Sequence, residues 1–448
     1  MATKIVLIGA GSVQFGYDML SDIFQSEALK GCHIELHDIN AEALAVVEQN
    51  VKKYIEENGI PFTLSATVDR KEALKNADFC IISIEVGDRF KLWRMDWKVP
   101  LQFGIRQVMG ENGGPGGLFH SLRIIPPILE ICADIQSVCP DAIVMNFSNP
   151  MSRICTTINR KFPELKFIGL CHEIESINQH LPLILDTPYE NLKTRCGGLN
   201  HFSILVEATY IDSGKDAYPD IRKKTPDYYE NLPTLRDAIK ELKEMDAGST
   251  PGSEPAFRAG AGKWSERRLF KALLEQFGYL PITTDSHLGE YISWANDAAD
   301  QKGILDFYQY YIEYLDKNPH IDAKPHERAV PIIDGILTNS GYEEEAVNLK
   351  NDGLIDMLPD FMSVEVPAII DKNGVTGIKL ENYPLGFGSL LCNQIGVHNL
   401  VAEATINKSK ESAIQALLVD PTVDKYSSAL QLFEHMLALQ APYLSYLK

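Results

Sequence analysis

The sequence has no run of about 18 or more apolar residues, the length a helix needs to cross a bilayer, so no membrane-spanning helix is expected. The opening MATKIVLIGAG passes straight into a strand-like run, without the basic and long apolar segments of a secretory leader. Positive charge is scarce: 42 Lys and Arg stand against 61 Asp and Glu, for a net charge of −19. Such a surface disfavours nucleic acid and anionic membranes as partners. It does not exclude an anionic small substrate, because local cations dominate within a screening length of about 8–10 Å. The eight cysteines are scattered and lack the spacing of a disulfide framework. Most fall in apolar runs as small buried hydrophobes, and a reducing cytoplasm is the expected compartment. Internal repeats, low-complexity segments and flexible linkers are all missing.

What is present suits a globular protein of one large or two ordinary domains: 448 residues, 45% hydrophobic and 23% charged. The stretch KIVLIGAGSVQFG reads as a buried strand, Ile5 to Ile8, followed by Gly9, Gly11 and Gly16. Gly9 permits a tight turn, and Gly11 lets a pyrophosphate approach the backbone. The next helix offers its N-terminal amides to that charge. Gln14 stands where the usual GxGxxG pattern has its third glycine. A second strand, CHIELHDIN, ends in Asp38, where a carboxylate would grip ribose hydroxyls and favour NAD over NADP. Further strands are expected in 77–87 and 141–150, with helices between. Strands alternating with helices predict a Rossmann-like, doubly wound parallel α/β sheet.

The turn GENGGPGGLFHSLR is too glycine-rich for helix or strand and should open a helix at about Leu118. Glu111 at its start is either a ligand-facing carboxylate or a solvated loop charge. Ligands of such sheets sit at the C-terminal strand ends. Asn149 in NFSNP, Cys171 and His172 in GLCHE, and His201 in GLNHF are all associated with apparent strands and would share one rim. Thiolate and imidazole suit a borderline divalent cation, and two protein ligands would leave coordination positions open for substrate. The alternative is a buried cysteine and a strand-end histidine satisfied by a backbone carbonyl.

GAGS, GENGGPGG, NFSNP, GLCHE, GLNHF and the closing LVAEATINKSKESAIQALLVDP occur in an order that resembles glycoside hydrolase family 4 over essentially the whole chain. CHEI in particular resembles that family's α-galacturonidase branch. The resemblance implies NAD, with Gly9, Gly11, Ser12 and Asp38 on the cofactor, and a divalent metal, commonly Mn²⁺, held by Cys171 and His201. It implies hydrolysis by redox elimination rather than by two carboxylates. NAD⁺ oxidises the sugar's C3 hydroxyl, a base removes the C2 proton, the metal steadies the C2 and C3 oxygens, and the C1–O bond breaks. Water then adds and the hydride returns. His172 or Glu173 would be the acid. Asn149 would touch the sugar hydroxyls, and Glu111 would lie by the metal or its water. Tyr279 is the expected base, with Tyr291 and Asp285 as alternatives. Arg153, just beyond Asn149, is either the partner of a uronate carboxylate or a helix-start arginine paired with a surface acid, and Arg258, Lys263, Arg267 and Arg268 are further candidate cations. The resemblance also implies a homo-oligomer.

After about Gly197 the strand–helix alternation gives way. The expected division is a nucleotide-binding domain at 1–196 and an α+β substrate, metal-site and oligomerisation domain at 197–448. The leading reading is an α-galacturonidase, with related α-glucuronidase or α-galactosidase activities as alternatives. A plain NAD-dependent hydroxy-acid dehydrogenase would not need the Cys–His pair, and a non-catalytic NAD sensor would need no reactive cluster at all.

Overall fold

The structure, a computed structural model, describes residues 2–11, 15–248, 265, 267–314, 321 and 327–448. Ser12, Gln14, Arg258 and Lys263 lie outside the described residues. The first half supplies β1 (Lys4–Ile8), β2 (His33–His37), β3 (Thr63–Thr67), β4 (Phe79–Ile82), β5 (Ile143–Asn146) and β6 (Lys166–Gly169). The second half supplies β7 (Leu192–Leu199), β8 (Phe202–Tyr210), β9 (Tyr342–Lys350), β10 (Ser363–Asp371) and β11 (Gly374–Gly377).

All eleven strands form one sheet, ordered β3-β2-β1-β4-β5-β6-β9-β10-β7-β8, with β11 beside β10. The first six are parallel, in the order of a dinucleotide-binding fold. The apolar run of β1 explains its central place. Val6 and Ile8 enter the core on one face of the sheet, and Ile5 and Leu7 enter the core on the other. From β9 onward the pairing is antiparallel.

The second half therefore continues the sheet of the first. β9 joins β6 at Gly169 and Asn348. The C-terminal helices Ile395–Ile406, Lys410–Val419 and Tyr426–Leu439 return to the first half, where Val401, Leu417 and Phe433 share a core with Phe119 and Leu122. QIGVHNLVAEATI, ambiguous between strand and helix by pattern, is largely helical.

The helix after the glycine-rich turn starts at Gly114, four residues earlier than Leu118. Glycine is what allows this. A Cβ on Gly116 would stand 2.5 Å from the Gly110 Cα, and one on Gly117 would stand 2.4 Å from the Asn112 carbonyl carbon. The turn folds directly against the first turn of its own helix. Among the described residues no helix is long and apolar enough to cross a membrane.

Candidate active site

At the nucleotide end, Gly9 and Ala10 donate their N–H groups to the His37 carbonyl at the end of β2. Gly9 has φ +94°, and a Cβ there would stand 2.0 Å from the Ser83 carbonyl oxygen. No other residue fits that position. Gly11 N–H donates to Asp38 Oδ2 (2.8 Å), and Asn40 N–H donates to Asp38 Oδ1 (2.8 Å). The expected ribose carboxylate is thus locked to the glycine turn, and the two form one cradle with little side-chain bulk.

The second feature is a cavity of about 510 Å³ lined by Asn149, Cys171, His172, Glu173, His201 and His287 among others. Asn149 follows β5, Cys171 follows β6, and His201 occupies the turn between β7 and β8 with φ +62°. Cys171 Sγ lies 3.4 Å from His201 Nε2. Glu173 Oε1 lies 3.7 Å from His201 Nε2 and 3.1 Å from His287 Nε2. Thr283 donates its hydroxyl to the other Glu173 oxygen. His172, by contrast, is exposed at the cavity rim.

Charges in this cavity are strongly coupled. Burial raises the Glu173 pKa to about 7, although His287 pulls against it. Burial alone would lower the His287 pKa, but Glu173, Glu290 and Glu111 override it and raise it to about 9. Burial and the Glu173 charge push the Cys171 thiol far up. Without a cation beside it Cys171 keeps its proton, and a bound cation would displace that proton. The donors present, one thiol, two imidazoles and a carboxylate, suit a divalent cation in chemistry, and Cys171 Sγ and His201 Nε2 stand close enough to share one. Glu173, His201 and His287 offer ligand atoms within 4.8 Å of one another.

Glu111 is buried, as a site residue and not a solvated charge, with Arg89 Nη2 at 3.5 Å and His287 Nδ1 at 4.0 Å. Its backbone N–H and that of Asn112 both donate to the buried Glu290 carboxylate.

Two expected positions are corrected. Tyr279 is not among the residues lining the cavity. Its ring packs edge-on against Tyr218, with Arg222 over its face. Arg153 also misses the cavity. It lies in the first turn of the Met151–Lys161 helix, is 1% exposed and stands 3.7 Å from Asp420. The alternatives for the base divide. Tyr291 is buried and stacked on Phe202, whereas Asp285 lines the cavity while capping the Arg268–Phe277 helix through Leu269 and Phe270 N–H. Arg267 and Arg268 line the cavity as well.

His287, Glu290 and Thr283 were not singled out from sequence. The stretch TTDSHLGEY holds all three, and its histidine and glutamate three residues apart were the available signal.

Two family models, "Family 4 glycosyl hydrolase" and "Family 4 glycosyl hydrolase C-terminal domain", match residues 4–187 and 196–423. The chain belongs to glycosyl hydrolase family 4. Within that family it is 56% identical to an α-glucosidase of Erwinia rhapontici over 454 residues, covering 100% of both chains. It is 28% identical to an α-galacturonidase of Thermoanaerobacter italicus, covering 97% of this chain and 95% of that one. In structure it resembles a putative glucosidase of Bacillus subtilis at a TM-score of 0.77 and 26% identity, covering 97% and 99% of the two chains. A 6-phospho-α-glucosidase from gut microorganisms, solved in complex with NAD and Mn²⁺, shares the fold at a TM-score of 0.75 and 20% identity, covering 98% of each chain. The family assignment carries glycosidase chemistry with it. The galacturonidase branch suggested by CHEI does not share that support.

Proposed function

We propose that this chain is an NAD- and divalent-metal-dependent α-glycosidase acting on α-linked glucosides. The observation that carries the metal-dependent reading is the convergence of Cys171, His201, Glu173 and His287 beside Asn149. The glucoside is supported by 56% identity over the whole chain to an α-glucosidase.

When bound, NAD⁺ would supply reversible hydride transfer at the sugar's C3, and a divalent cation would supply electron withdrawal from the neighbouring sugar oxygens. Gly9, Gly11 and Asp38 orient the dinucleotide at the ends of β1 and β2. Cys171 and His201 hold the cation. Asn149, at the end of β5, hydrogen-bonds a sugar hydroxyl. Asp285 is the only one of the three base candidates that faces the cavity, and it accepts the C2 proton. Glu173 donates a proton to the glycosidic oxygen. Burial favours its protonated form. His172, at the rim, meets the leaving group. Trp93, Met109 and Tyr308 line the cavity and exclude water from the reacting centre.

In this reading residues 1–196 carry the nucleotide together with Asn149, Cys171 and Glu173, and residues 197–448 complete the substrate side with His201, His287 and Asp285 and make the subunit contacts of a homo-oligomer. The setting is the cytoplasm, where Cys171 stays reduced.

A second reading, an α-galacturonidase, rests on CHEI and on Arg267 and Arg268, which line the cavity along with Arg89. Purified protein with NAD⁺, Mn²⁺ and reductant should be assayed on the nitrophenyl α-glucoside, α-galactoside, α-glucuronide and α-galacturonide. The glucoside should have the highest kcat/KM, NADH should not accumulate, and solvent deuterium should enter C2 of the product. Turnover by cofactor-free protein without C2 exchange would overturn the mechanism. A galacturonide preference would establish the second reading.

A further inference from the structure

The two halves of the sheet meet along one row of residues. β6 pairs with β9 at Gly169 and Asn348, β9 pairs with β10 at Asn348 and Glu365, and β10 pairs with β7 at Glu365 and Gly198. Among the described residues, the first and last of these joins consist of that one residue pair each. Cys171 and His201 straddle the row. Cys171 lies two residues beyond Gly169, and His201 lies three beyond Gly198. Their 3.4 Å separation therefore depends on a seam with few backbone pairings.

Side chains brace that seam. Asn348 and Glu365 stand opposite each other on neighbouring strands, so they project from the same face of the sheet. Both are buried. The Glu365 carboxyl accepts from Asn348 Nδ2 (3.1 Å), Asn200 Nδ2 (2.8 Å) and Ser203 Oγ (3.2 Å). Asn200 and Ser203 flank the turn that holds His201. Asn348 Nδ2 also lies 3.4 Å from the Gly169 carbonyl oxygen. One buried fork thus ties the end of β6 to the His201 turn.

Resting on the reading that Cys171 and His201 share a cation, we propose that Glu365 and Asn348 are positioning residues that set the Cys171–His201 spacing. Neither lines the cavity. Glu365 fixes the His201 turn through Asn200 and Ser203, and Asn348 carries that hold across to Gly169. Donors of a metal site have to be held to within about 0.5 Å by the hydrogen bonds behind them. An apolar pair would fill this part of the core without the cost of burying a carboxyl, so the fork serves geometry rather than stability.

The test compares Mn²⁺ binding, read from loss of the free-ion EPR signal, with NADH binding, read from fluorescence, in the same variants. Glu365→Asp keeps the carboxyl but draws it back by one methylene. Asn348→Ala removes one arm of the fork and serves as the second variant should the first not fold. Each should weaken Mn²⁺ binding about tenfold or more and leave NADH binding unchanged. Glu365→Gln loses the acid but keeps the fork, its amide oxygen accepting from both asparagines and its amide nitrogen donating to Ser203 Oγ. It should bind Mn²⁺ nearly as the wild type does. Wild-type Mn²⁺ affinity in Glu365→Asp and Asn348→Ala, with Cys171→Ser impaired, would overturn this inference alone. A loss in Glu365→Gln as deep as in Glu365→Asp would place the effect on charge and overturn the brace. Equal losses of Mn²⁺ and NADH binding would show a general loosening of the fold and overturn it as well. Unimpaired Mn²⁺ binding in Cys171→Ser would remove the metal reading on which it rests.

Discussion

His287 Nε2 stands 3.1 Å from Glu173 Oε1, joining the turn after the last parallel strand to a short helix deep in the second half of the chain. Neither group titrates by itself. Each holds the other near a charge state it would not keep alone in a buried cavity.

Replacing Glu173 by Gln removes the proposed proton donor while keeping its size. On an alkyl α-glucoside kcat should fall by about 10²–10⁴-fold. On a nitrophenyl α-glucoside, whose leaving group departs without protonation, the loss should be far smaller. Equal losses on the two substrates would take the acid role from Glu173.

Gly11→Ala should act on the cofactor alone. The new methyl would lie 2.8 Å from Asp38 Oδ2, the acceptor of the Gly11 N–H bond. Breaking that lock should raise the NAD⁺ dissociation constant about tenfold, equivalent to about 1.4 kcal/mol. Mn²⁺ affinity should not change. Fluorescence titration with NADH measures the first and EPR the second.

Arg153→Met should destabilise the protein without changing sugar choice. Arg153 and Asp420 are both buried, and removing the cation leaves a carboxylate in the core, at a cost of about 3–5 kcal/mol. The double substitution Arg153→Met with Asp420→Asn should recover part of this. The ratio of kcat/KM on galacturonide to that on galactoside should stay at its wild-type value. A collapse of that ratio would return Arg153 to the substrate.

Two buried histidines should each cost the fold stability as pH falls below about 6.5. Burial lowers both His120 and His398 to about 3. In the unfolded chain each protonates near 6.5, so folded-state stability is full above that pH and declines as pH falls towards 3. At pH 5 each contributes about 2 kcal/mol of loss. Between pH 6.5 and 5 the melting temperature of His398→Gln should fall less, or rise more, than that of the wild type. An unchanged slope would show that His398 is protonated in the folded state.

Some of this was legible in the one-dimensional pattern. The apolar run of β1, the glycine turn and the strand ending before Asp38 announce a nucleotide-binding sheet, because buried parallel strands and close phosphate approach each demand local residue types. Cys171 and His201 were also within reach, since each lies beside a strand end or tight turn that patterning locates. β3 was missed because TLSAT is short and mostly half-buried. β9 was missed because YEEEAVNLK carries three glutamates, two of which meet arginines only in the fold.

Arg153 and Tyr279 show where local reasoning ends. Both lie beside site residues in sequence, yet neither lines the cavity. Side-chain direction depends on the packing of the whole element, which sequence proximity does not encode. The sequence by itself pointed to a glycine turn ahead of Asp38 and, through the family resemblance, to Cys171 and His201, because turns and strand ends are set by local residue types. Only the tertiary structure decided that His287, Glu290 and Thr283 belong with them. Their place depends on how a sheet of eleven strands carries the second half of the chain back over the strand ends of the first.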